Sequence, residues 1–127
     1  MLTLLLTIGL AHAGVVDEQI ARCESGHLES CWVAAAGRFD GEEDRRDVVQ
    51  AAALAERGCA ASDARACLQE ARIRLETGAP TRSPIREVLA QACASNTASA
   101  CALQGAVLVA GLGGDADPLD GFTILQE

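Results

Sequence analysis

The chain has 127 residues and a formal net charge of −8; half of its residues are hydrophobic and only 2% are aromatic. That composition is too apolar for intrinsic disorder, and the length suits a single domain. The acidic excess argues against nucleic acid, whose phosphates require a basic face, and against anionic lipid surfaces.

Met1 to Leu10 reads MLTLLLTIGL and runs into Ala11-His12-Ala13. An apolar run closed by a small-x-small pattern predicts a secretory signal peptide over residues 1–13, too short to span a bilayer as a mature helix. Cleavage would leave one domain, residues 14–127, in a periplasmic or secreted compartment where disulfides persist, with no membrane insertion. Every cysteine lies in that part.

Cys23, Cys31, Cys59, Cys67, Cys93 and Cys101 form three pairs with eight residues from one partner to the other, and the pairs recur after 36 and then 34 residues. A period of that length signals stacked helical hairpins. The three segments read CESGHLESC, CAASDARAC and CASNTASAC, with turn or capping residues at their centres: Ser25-Gly26, Ser62-Asp63 and Asn96-Thr97. On one unbroken helix, residues eight apart lie about 12 Å apart along the axis. A disulfide needs its Cα atoms within roughly 7 Å, so a bond within a pair requires a tight turn between its cysteines. Of the fifteen ways to pair six cysteines, the repeat selects Cys23–Cys31, Cys59–Cys67 and Cys93–Cys101. Metal ligation would call for closer cysteines with His partners, and only His27 follows the signal segment. A redox-active C-x-x-C is absent. No cofactor and no metal are expected.

A first helix is expected over residues 15–25. After Cys31 the chain continues WVAAAGRF, then the polar DGEEDRR, then DVVQAAALAERGC. The second unit runs LQEARIRLE, breaks at Thr77-Gly78-Ala79-Pro80 and resumes as SPIREVLAQAC, where Ser83 and Pro84 suit an N-cap and a first helical position. The third runs ALQGAVLVA, breaks at GLGGDADPLDG and resumes as FTILQE. The repeats therefore span about 28–61, 62–95 and an incomplete 96–127. Val48, Val49, Ala52, Leu54 and Ala55 make one helical stripe; Ile85, Val88, Leu89 and Ala92 make another. No segment alternates with a strand period. The fold class expected is all-α. Its 25 alanines favour helix and close packing but bury little area, which leaves the disulfides an unusually large share of the stability.

These features resemble the Sel-one-like repeats, relatives of the tetratricopeptide repeat, and in particular their secreted cysteine-rich branch. The resemblance rests on the C-x₇-C spacing, the AERGC and LAQAC helix endings and the glycine loop before an acidic residue, Gly111 to Asp115; it covers residues 15–127. It implies an α/α hairpin solenoid, each hairpin pinned by one disulfide, that presents a concave helical face to a protein or peptide and has no catalytic residue. Some members of the branch are described as binding or hydrolysing β-lactams, so a hydrolase of β-lactams or cell-wall amides is the competing expectation. The chain has no Lys, which closes the Ser-x-x-Lys mechanism. A Ser-His-Asp triad would rest on His27 alone.

A calcium- or thiol-dependent regulator is a third expectation. Asp40, Glu42, Glu43 and Asp44 crowd one loop, and Asp115, Asp117 and Asp120 another. The second faintly echoes a calcium loop without its closing Glu. The simpler reading is solvated loops and N-caps, with Asp44 before Arg45, and Asp47 three on, suiting a capping role. Trp32 and Phe39 are expected to fill the core. Arg65, Arg72, Arg74, Arg82 and Arg86 read as helix-face ion pairs, such as Glu70 with Arg74, in preference to a groove for an anionic ligand. Phe122, Ile124 and Leu125 would sit on an uncapped apolar end, a face for self-association.

Overall fold

Between the two cysteines of each pair the backbone makes the same turn three times. Gly26, Ser62 and Asn96 take left-handed φ values of 106°, 66° and 66°. Each donates its amide to the carbonyl of the first cysteine (Cys23, Cys59, Cys93). The next amide reaches back to the residue before that cysteine: His27 to Arg22, Asp63 to Gly58 and Thr97 to Ala92. This is the Schellman closure of a helix, which satisfies carbonyls the last turn leaves open. A non-glycine residue in that conformation costs roughly 1 kcal/mol, and two of the three turns bear it.

The computed structural model describes residues 14–42 and 45–126. The signal-peptide expectation for residues 1–13, and Glu43 and Asp44, lie outside the described residues. Helix α1 covers residues 14–24, and a 3₁₀ turn at Leu28–Ser30 leads into α2 (Cys31–Phe39). There follow α3 (Val48–Ala60), α4 (Ala64–Thr77), α5 (Ile85–Ala94), α6 (Ala98–Ala110) and α7 (Pro118–Gln126). No strand occurs among the described residues, and the fold is all-α.

Three disulfides form, Cys23–Cys31, Cys59–Cys67 and Cys93–Cys101, with Cα separations of 4.8, 4.5 and 4.5 Å. Each joins the end of one helix to the first turns of the next, across a Schellman turn. Helix starts are capped locally. Asp63 Oδ1 accepts from the amides of Arg65 and Ala66, and Asp47 Oδ1 from that of Gln50 at 2.9 Å. Both use the short acidic side chain that suits an N-terminal turn. Ser83 departs from its expected capping role: α5 begins at Ile85 without a side-chain cap, because the Ser83 hydroxyl is engaged elsewhere.

From α2 onward each helix packs on the next. In addition α2 meets α4, and α4 meets α6, so these three alternate helices adjoin in order. The interior divides into two apolar clusters. One gathers Ile20, Phe39, Leu54 and Ile73 with alanines of α2 and α3; the other gathers Ile85, Val88, Leu89 and Val107 with alanines of α4 and α6. Small residues set the spacing. A Cβ on Gly58 would lie 2.5 Å from the Cβ of Ala66 and 3.0 Å from that of Cys31, so the α2–α3–α4 junction has no room for a methyl group. Phe39 is buried as expected, whereas Trp32 is only half-buried and lies at the edge of the second cluster.

Candidate binding face

Helix α4 shows how the sequence divides inside from outside. Ala66, Cys67, Glu70, Ala71 and Ile73 are buried. The opposite stripe, Arg65, Leu68, Gln69, Arg72 and Glu76, follows the helical i, i+3, i+4, i+7 spacing and remains at least partly exposed. Trp32, Leu68 and Ala102 each follow the second cysteine of a pair. They therefore take equivalent register positions on α2, α4 and α6, the three helices that adjoin.

Two arginines of the stripe stack on aromatic rings of α2. The Arg65 guanidinium lies 5.1 Å from the centre of the Trp32 ring, a cation–π arrangement. That of Arg72 lies 4.7 Å from Phe39, which Arg46 also approaches at 5.0 Å. Arg72 donates through both terminal nitrogens to the two carboxylate oxygens of Asp40, each at 2.8 Å. This fork holds the Asp40 carboxyl below its ordinary 3.8 and raises the Arg72 guanidinium further. Arg46 pairs with Glu76 at 3.2 Å. The Asp40 loop and the α2 end are thereby tied to the outer surface of α4.

The expected Glu70–Arg74 pair does not form. Position 70 belongs to the core stripe, so Glu70 turns inward and is fully buried. One carboxylate oxygen accepts from the Thr81 hydroxyl and the other from the Ser83 hydroxyl at 3.0 Å. Burial pushes its carboxyl above the usual range despite those bonds. Arg74 instead reaches α3 and pairs with Glu56 at 2.9 Å. Arg86 is likewise internal in its contacts, donating to the carbonyls of Leu112 and Asp115 at 2.8 and 2.7 Å and so closing the glycine loop. Arg82 lies exposed in the α4–α5 loop.

The remaining candidates are dispersed. Asp117 accepts the Asp120 amide at 3.1 Å and caps α7. Among the described residues no three His, Cys, Asp or Glu side chains converge as a metal would require. His27 is exposed in the first turn, its Nδ1 3.4 Å from a Ser25 hydroxyl that also bonds the Arg22 carbonyl. At the far end, an open groove of about 650 Å³ is lined by Cys93, Ala94, Cys101, Ala102, Ile124 and Leu125 among others. Leu125 in that groove and Phe122 on the same helix are about half exposed.

The Trp32–Arg65 contact was not anticipated, although its signal was present: the two residues lie 33 apart, close to the spacing of successive cysteine pairs, on two helices that adjoin. Comparison of the chain with protein-family models, with curated proteins and with solved structures finds no match in any of the three.

Proposed function

We propose that the chain is an exported scaffold, a stack of disulfide-pinned helical hairpins of the Sel-one-like kind, that holds a protein or peptide segment along a concave α2–α4–α6 face. It performs no chemistry of its own. The observation that carries this reading is the outer stripe of α4: Arg65, Leu68, Gln69 and Arg72 stand beside Trp32 and combine hydrogen-bonding groups with apolar surface. Aromatic and arginine side chains of this kind are the usual anchors of protein interfaces. The recurrence of one turn and one disulfide at each cysteine pair supports the repeat architecture. The three bonds also fit an oxidising compartment, periplasmic or extracellular.

The test is to select peptides from a displayed library against the oxidised protein and to map them by amide chemical shifts. Bound peptides are expected to shift Trp32, Leu68, Gln69 and Arg72 and the Trp32 indole signal. Shifts confined to α3 or α7 would place binding elsewhere and overturn the reading. A second role, self-association through the α6–α7 groove, is favoured by the half-exposed Leu125 that lines it and by the exposed Phe122 on the same helix.

A further inference from the structure

We infer that the Trp32–Arg65 pair is a carboxylate anchor, and that the segment bound on this face carries a single Glu or Asp flanked by apolar side chains. The inference rests on the proposed peptide-binding role and specifies its ligand.

Four other arginines are already committed to carboxylates: Arg38 to Asp17, Arg46 to Glu76, Arg72 to Asp40 and Arg74 to Glu56. Arg65 differs. Its nearest acid, Asp63, stands 3.7 Å from Nε, and Asp63 Oδ1 is occupied by the first amides of α4. Among the described residues its guanidinium makes no hydrogen bond, yet the Trp32 ring beneath holds it in place. Its side chain is 58% exposed. A planar cation fixed on an aromatic face with its donors open to solvent has the form that takes a carboxylate side-on.

The surroundings restrict what brings that carboxylate. Leu68 lies one helical turn along α4, and Trp32 offers the rest of its ring, so the groups next to the acid meet apolar surface. The chain as a whole carries −8, which repels a polyacidic tract. One acid between apolar neighbours gains the local attraction with the least of that repulsion.

The experiment uses the oxidised protein and three peptides, acetyl-Gly-Leu-Glu-Leu-Gly-amide and its Gln and Lys counterparts, followed through the fluorescence of Trp32, the chain's one tryptophan. The Glu peptide is expected to bind about fivefold more tightly than the Gln peptide, the size of a good exposed ion pair, and the Lys peptide more weakly than either. Arg65→Glu should reverse the order. That variant places an acid in the first turn of α4, where the helix dipole favours it, and its circular dichroism should match the parent's. Equal affinities for the three peptides, or no response to the Glu peptide, overturn the inference. If display-selected peptides still shift Trp32 in that case, the face reading stands without it; if they do not, both fall.

Discussion

Reduction of the three disulfides is expected to unfold the protein at neutral pH without denaturant. On the chain-entropy account, closing a nine-residue loop contributes about 2.5 kcal/mol, so three contribute roughly 7 kcal/mol. Domains of this size hold only about 5–15 kcal/mol in total. This core lies toward the weak end, because Ile73, Ile85, Leu89 and Val107 are the larger aliphatic side chains it buries completely and alanine supplies much of the remainder. The bonds should not yield together. Cys23, Cys31, Cys59 and Cys67 have no accessible surface, whereas Cys93 and Cys101 are partly exposed. Alkylation and mass spectrometry during titration with a reductant should show Cys93–Cys101 opening first, with most helical circular dichroism retained. Helix content should collapse when the buried bonds follow. A fully reduced chain that melts at the temperature of the oxidised one would show that packing alone holds the fold.

Replacing Glu70 with Gln is expected to stabilise the protein at neutral pH and to flatten part of its pH profile. In the unfolded chain this carboxyl releases its proton near the ordinary value of 4.5; in the folded protein burial raises it. From 4.5 up to that raised value the folded state therefore holds the extra proton, and stability falls by about 1.4 kcal/mol for each pH unit. The stabilising contribution is complete below 4.5 and gone above the folded value. The groups that bear on Glu70 are Thr81 and Ser83 in the α4–α5 loop, Glu56 on α3 and Arg74 on its own helix. A glutamine keeps the shape and can meet both hydroxyls without a charge to desolvate. Urea midpoints for both proteins between pH 4.5 and 8 give the difference directly. It should grow in favour of Gln as pH rises, and a difference constant with pH would show that Glu70 does not titrate in this range. The carboxyl of Asp40 acts with the opposite sign, its contribution being lost as pH falls below 3.8, and comparing the two proteins cancels it.

The turns between paired cysteines were legible because two independent constraints agreed at the same positions. A bond across eight residues demands a turn, and Ser25-Gly26, Ser62-Asp63 and Asn96-Thr97 can make one. Side-chain partners were less legible. Ser83 before Pro84 has the local form of a cap, but capping is worth about 1 kcal/mol, and the buried carboxylate of Glu70, 13 residues back along the chain, competes for the same hydroxyl. Glu70 and Arg74 have the spacing of an ion pair, yet spacing does not say which face a residue occupies. The stripe of Ala66, Glu70 and Ile73 held the needed signal: an acid at a core position must find buried donors, and Thr81 and Ser83 are the donors the next loop brings. The Trp32–Arg65 stack required knowing that α2 and α4 touch, a contact that the structure shows and that neither segment carries alone.

The closeness of the paired cysteines bears on how the chain acquires its covalent structure. From each second cysteine the next one along lies 28 or 26 residues further, so as the polypeptide emerges in an oxidising environment its native partner is always the first thiol within reach. Short-loop closure is also the faster event. Oxidation can then proceed in order from the amino terminus, one crosslink per turn, with little mispairing for an isomerase to undo. Each pair of helices joined this way offers the next helix the surface on which it packs.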